Sequence, residues 1–174
     1  MAISALSATV ARDLLLYMLW ADRETLKAVR EVRPEDLTRD AGISFGSLLG
    51  TLAHILGSQR MWLSRFSGDP LDRVPGPLDY PDLQAWIQGW EENAAGIGAF
   101  IASLTDEQIA APITWTNTRG ETFTRPLWQP VLHLVNHSSY HRGQVVSLLR
   151  QLGHQPPSTD LNYYFLRSEY NPAP

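Results

Sequence analysis

The chain has no cysteine and a single lysine, Lys27, in 174 residues. Without cysteine there are neither disulfides nor thiolate ligands, so any metal must be held through nitrogen and oxygen donors. The lone lysine goes with a net charge of −4 and no dense Lys/Arg cluster. That argues against nucleic-acid backbone binding as the main role. No apolar run approaches the ~20 residues of a membrane span. The N-terminal stretch MAISALSATVARDLLLYMLW superficially resembles a signal sequence, but Arg12 and Asp13 interrupt it and no basic region precedes it. It reads as the start of a core helix, and the cytoplasm is the expected compartment. Also missing are a GxSxG elbow, a phosphate-binding glycine loop, an HExxH helix and the carboxylate-plus-ExxH pattern of di-iron bundles. What remains is enough chain for one domain, 1–174, with a well-buried core.

Its periodicity is mainly helical. Leu6, Val10, Leu14, Tyr17 and Ala21 recur at steps of three and four and predict a first helix over 4–32, stopped by Pro34 and followed by a loop over 33–43. A second helix is expected over 44–66, with Ser44 as N-cap. Between Asp40 and Arg60 it carries no charge. Leu48, Leu49, Leu52, Ile55, Leu56, Leu63 and Phe66 form one face; Gly50, Ala53, His54, Gly57 and Met61 form the other. Glycine inside a helix costs ~1 kcal/mol relative to alanine, and close approach of another helix would justify it. Residues 67–81, with four prolines and two glycines, read as a linker serving as a lid or an interface segment. A third helix follows over 82–104, with Leu83, Trp86, Trp90, Ala94, Ile97, Ile101 and Leu104 on its seam. Thr105–Gln108 reads as a capped turn. Alternation around Asn117–Gly120 predicts a hairpin over 112–125. The fourth helix starts near Pro126 and ends at Gly153. A short closing helix is expected over 159–168, capped by Thr159 or Asp160, followed by a loose tail, NPAP.

The fourth helix carries three of the five histidines, His133, His137 and His141, spaced by four. Residues four apart on a helix lie ~40° apart around the axis and ~6 Å along it, so two imidazoles can reach one ion from one side. Measured from Leu127 on the inward stripe Leu127, Val131, Leu134, Ser138, Val145, Leu149 and Leu152, His141 lies ~40° away, His137 ~80° and His133 ~120°. His137 and His141 are therefore the inward pair, with small Ser138 beside them, and His133 belongs at the rim. His54, on the second helix, which is buried on both faces, is the natural third ligand. Three histidines with open positions make a catalytic-type arrangement rather than a closed structural one. An isolated HxxxH is common on helices that bind nothing; a third histidine on a buried helix strengthens the case. Arg142 is expected as a surface charge or salt-bridge partner. Gln144 is expected either beside a ligand or in an interhelical hydrogen bond. His154 is expected to be exposed, and the tryptophans and tyrosines to be core and interface residues. No general base is evident. Tyr140, Asn136, Gln144 and Asp160 are candidates for contacts to ligands or substrate.

The stretches YMLWADRETL, LLGTLAHILGSQRMWLSRF and LHLVNHSSYHRGQVVSLLRQLG, followed by TDLNYYF, resemble the DinB/YfiT-like family in order and over nearly the whole chain. The NHxxxHRGQ core is the most specific part. The resemblance implies an all-α four-helix bundle, here with a short β-hairpin before the fourth helix and a short C-terminal helix. It further implies a homodimer with a divalent metal, commonly nickel or zinc, held by the positions of His54, His137 and His141. Some relatives are thiol-dependent transferases using low-molecular-weight thiols. The expected function is thus a metalloenzyme that joins a thiol to a small electrophilic substrate. The alternatives are a metal-dependent hydrolase and a non-catalytic dimeric metal-binding bundle with a stress-related role. The donor set alone leaves zinc, nickel, iron and manganese open.

Overall fold

The computed structural model describes residues 6–117 and 119–167. Four long helices form the bundle: α1 (Ala8–Val29), α3 (Leu48–Phe66), α4 (Leu83–Ser103) and α6 (Trp128–Gln151). Helix α6 packs on both α1 and α3, α3 packs on α4, and a lighter α1–α4 contact closes the ring. Three short helices fill the connections: α2 (Pro34–Thr38), α5 (Asp106–Ala110) and α7 (Leu161–Leu166). The hairpin β1 (Pro112–Thr116) and β2 (Thr122–Pro126) is antiparallel, with Trp115 opposite Phe123. It lies directly before α6, as its alternating pattern implies.

The helix starts differ from the expected ones for local reasons. Helix α1 begins at Ala8 because the Ser7 side chain accepts the Val10 N–H, and it ends at Val29. Helix α3 begins at Leu48, not 44. Its cap is Ser47, which accepts the Gly50 N–H, whereas Ser44 lies in a tight loop closed by Gly46 N–H to the Ile43 carbonyl. Pro34 does not merely end the first helix; it occupies the first position of α2 inside the expected 33–43 loop, where its missing N–H costs nothing. The Thr105 turn is the start of α5, with a complete capping box to Gln108. Asp160 takes the cap position of α7 without a side-chain bond. His154 is half-buried rather than exposed. The NPAP tail and residues 4, 5 and 168 lie outside the described residues.

The helix-interior glycines of α3 do admit a close approach, but not by a helix. A Cβ on Gly57 would stand 2.0 Å from the Pro75 carbonyl oxygen, and one on Gly50 would stand 2.0 Å from that of Phe45. The 67–81 segment is thus strapped onto α3. Tyr80, buried, lies where a side chain on Gly89 of α4 would stand. Arg73 and Asp79 pair within the strap, Nη1 to Oδ2 at 2.7 Å.

Two apolar clusters occupy the two ends of the bundle. One holds Leu26, Leu52, Leu56, Trp86 and Leu149; the other holds Leu15, Met18, Ile97, Leu134 and Tyr164. On each long helix a buried polar residue falls where one cluster gives way to the other: Asp22, Gln59, Asn93, and Ser138 with Arg142. They bond to one another. Asp22 accepts from Arg142 Nη1 (3.0 Å) and from Gln59 Nε2 (2.6 Å), and Gln59 Oε1 accepts from Asn93 (2.9 Å). Gln59 Nε2 also reaches Ser138 Oγ (3.2 Å). Burial pushes the Asp22 carboxyl up, while the Arg142 guanidinium and then Gln59 pull it back. Arg142 is therefore the salt-bridge partner of the two readings, and one of the most buried side chains of the protein.

Candidate metal centre

His54 on α3 and His137 and His141 on α6 meet at the level of this polar layer. His54 Nε2 lies 3.2 Å from His137 Nε2 and 3.2 Å from His141 Nε2. One ligand nitrogen from each ring falls within 4.8 Å of the other two. A tetrahedral ion with ~2.0–2.1 Å bonds spaces its nitrogens ~3.3–3.4 Å apart, and a right-angled pair ~2.9 Å apart. The two spacings from His54 lie between these values, so the three rings could hold one divalent ion. They supply only imidazole, a donor set that suits zinc, nickel, copper or iron.

Each ring is held differently. His54 lies under Phe45, stacked at 3.9 Å and 15°. The same phenyl ring meets His141 edge-on at 5.3 Å. Phe45 sits in the loop before α3, and the bare Gly50 backbone lets its carbonyl lie against the first turn of that helix. His141, buried, shares a hydrogen bond between Nδ1 and Gln144 Oε1 at 2.9 Å. His137 lies among the other imidazoles, 4.4 Å from His141 and 5.7 Å from His133, and its buried Nδ1 has no hydrogen-bond partner.

His133 stays at the rim, with its ring edge-on to Trp62 at 5.5 Å. Trp62 continues to Trp115 of β1 at 5.3 Å, and Trp115 stacks on Phe123. The hairpin thus extends an aromatic wall from the histidines. On the other side, exposed Tyr140 meets His141 edge-on at 4.9 Å. Here a groove of about 460 Å³ opens, lined by Ile43, Ser44, Tyr140, Gln144 and Ser147 among others, none of them charged. Asn136 is exposed and Asp160 caps α7 on the α1 side; neither hydrogen-bonds to the imidazoles. Sequence reasoning missed Phe45, which gives no signal in a loop. It also missed the wall, although Trp62 lies only ~80° around α3 from His54.

Burial, with the neighbouring His141 second, lowers the pKa of His54 to about 4. Burial followed by His141, His54 and His133 lowers His137 to about 4 as well. Both stay neutral and ready to bind metal well below neutral pH. In the unfolded chain they take up protons near pH ~6.5. The unfolded state therefore binds more protons between these limits, and the stability that neutral imidazoles contribute is present above ~6.5 and lost as pH falls towards 4. Urea unfolding of metal-free protein at two pH values in this window should show that loss. His137→Gln should flatten the slope relative to wild type; equal slopes would contradict the burial argument.

Four packed helices, with two histidines from one and a third from another converging at mid-height, define a helical bundle with a three-histidine centre able to accept a metal. A family model, the DinB family, matches residues 4–170. Protein DinB of Bacillus subtilis (strain 168) is 25% identical over 162 residues, covering 90% of this chain and 94% of that protein. The crystal structure of a DinB-like protein from Bacillus cereus ATCC 10987 shares the fold at 23% identity, with a TM-score of 0.61 over 83% of this chain and 94% of that one. The chain belongs to the DinB family. Among the described residues no helix is long and apolar enough to cross a membrane.

Proposed function

We propose that this protein is a metalloenzyme of thiol-dependent transferase type, in which His54, His137 and His141 hold one divalent ion, nickel or zinc. The observation that carries the reading is the convergence of three imidazoles, with His54 Nε2 3.2 Å from both His137 Nε2 and His141 Nε2, beside an uncharged groove. A divalent ion bound there supplies Lewis acidity that lowers the pKa of a thiol or water. The thiol gives its proton to solvent. Its sulfur then forms a bond to the electrophilic carbon of a small substrate, and the leaving group departs with the electron pair. Phe45 and Tyr140 border the space for the substrate, and the Trp62–Trp115 wall limits water from the other side. Hydrolysis by metal-bound water is the weaker alternative, because among the described residues no carboxylate joins the histidine cluster as a base. Large apolar side chains exposed on α1 and α7, Val10, Leu16, Tyr163 and Leu166, support a homodimer. The cytoplasm, where low-molecular-weight thiols are kept reduced, suits the chemistry.

The test is turnover of a panel of alkyl and aryl electrophiles by metal-loaded protein, with and without an added thiol. Turnover that needs both metal and thiol is expected. Turnover in water alone would replace the reading with the hydrolase. Protein that binds metal but melts or dissociates without it, and turns over nothing, would leave a non-catalytic bundle with a stress-related role.

A further inference from the structure

Of the three imidazoles, only His141 has a hydrogen bond to its second ring nitrogen. That bond comes from within the same helix, where Gln144 Oε1 lies 2.9 Å from Nδ1. A neutral imidazole carries one proton. For Nε2 to offer its lone pair to the centre, the proton must be on Nδ1, and Nδ1–H then donates to an oxygen. Gln144 supplies that oxygen three residues along α6, on the neighbouring turn. His137 Nδ1, buried without a partner, and His54, held by stacking on Phe45, have no equivalent.

We propose that Gln144 is the positioning residue of the centre, locking His141 in the Nδ1–H tautomer with Nε2 aimed at the ion. The proposal rests on the metal reading above and deepens it. Small neutral imidazoles prefer to carry the proton on Nε2, so without Gln144 that nitrogen would present a hydrogen where the ion needs a lone pair. His54 Nε2, 3.2 Å away, would then become its acceptor, and the two ligands would close on each other. Gln144 is half-buried at the edge of the groove and bears none of the apolar packing of the core. Its replacement therefore alters the imidazole before it alters the fold.

The experiment compares wild type with Gln144→Leu, Gln144→Met and Gln144→Glu. Two readouts are taken. The first is the histidine tautomer in metal-free protein, from long-range proton–nitrogen correlation spectra at about pH 8.5, two units above the ordinary imidazole pKa. The second is zinc affinity, from competition with a chromophoric chelator. The His141 proton should be on Nδ1 in wild type and in Gln144→Glu, and should move to Nε2 in the leucine and methionine variants. Zinc affinity should fall by about 10–100-fold in those two and be retained in the glutamate variant, whose carboxylate keeps the acceptor. A purely structural role would lower affinity equally in all three variants and leave the tautomer alone, which would overturn the proposal. So would an unchanged tautomer with affinity within about 3-fold of wild type in the leucine variant, far short of the effect expected for an orienting partner. Wild-type protein that takes up no zinc, nickel or other divalent ion would overturn the metal reading itself; the tautomer spectra are read without metal, so the two failures are told apart.

Discussion

Replacing His137 by alanine is expected to empty the metal centre and leave the bundle standing. Removing one of three ligands should weaken zinc by more than about 100-fold, beyond what loss of an orienting partner costs. Metal analysis by mass spectrometry on untagged protein should find about one ion per chain in wild type and none in the variant. The fold should survive because the deleted ring is only half-buried and its inner nitrogen is unsatisfied. Its removal exposes no apolar core, and His54 Nε2, which loses its contact with His137, keeps the 3.2 Å contact with His141 Nε2. Metal-free wild type and variant should then unfold at similar temperatures. Added zinc at about 100 times its wild-type Kd should raise wild-type stability by about 2.7 kcal/mol and the variant's by less than about 0.4 kcal/mol. A variant that keeps the ion would show that the histidines are not the ligands. A variant that collapses without metal would show that His137 is structural.

The largest effect on stability belongs to Asp22. Replacing it by alanine leaves the Arg142 guanidinium buried opposite an apolar methyl group, with its Nε already unpartnered. Removing one partner of a buried pair costs about 3–5 kcal/mol, a large part of the ~5–15 kcal/mol that holds a domain together. Gln59 loses its 2.6 Å acceptor as well, although Ser138 remains. Chemical denaturation should register this as a lower midpoint with an unchanged slope. The double variant Asp22→Leu with Arg142→Met removes both charges and fills the space. It should recover most of the loss, because the desolvation of two ions disappears along with their attraction. If Asp22→Ala is nearly silent, the pair does not hold α1 to α6. If the double variant is as unstable as the single, the loss comes from packing rather than charge.

Both residues show how much of this protein is legible in one dimension. The inward placement of His137 and His141 follows from counting along one helix, because 3.6-residue periodicity relates neighbours on the same rod. His54 is legible because the stretch of helix before Arg60 has no charge and bears glycines, and so has to be buried. The hairpin, the capped turn before it and Gly153 as a stop are local signals, and the structure has them all. Arg142 shows the limit. Its partner is 120 residues away, and no local rule connects the two, so the sequence does not separate a surface charge from a salt bridge. The expected cap, Ser44, gives way to Ser47 for another reason. Either serine can cap, and only the positive φ of Gly46 decides that the helix starts after it. The glycines of α3 signalled a close approach, yet what approaches them is loop backbone, whose path no periodicity encodes.

The polar layer and the histidines share one level of the bundle, but they come from distant points of the chain. His54 and His141 are 87 residues apart. At ordinary translation rates of about 5–20 residues per second, roughly 4–17 s separate the synthesis of the first ligand from that of the last. Through that interval the emerging chain has one imidazole on a helix and nothing to complete a chelate. The Asp22 side chain likewise waits for Arg142. On the proposed reading, metal acquisition therefore waits, like closure of the bundle, until α6 has been made, and a ribosome stalled before α6 would carry a nascent protein that competes for no ion in the cell.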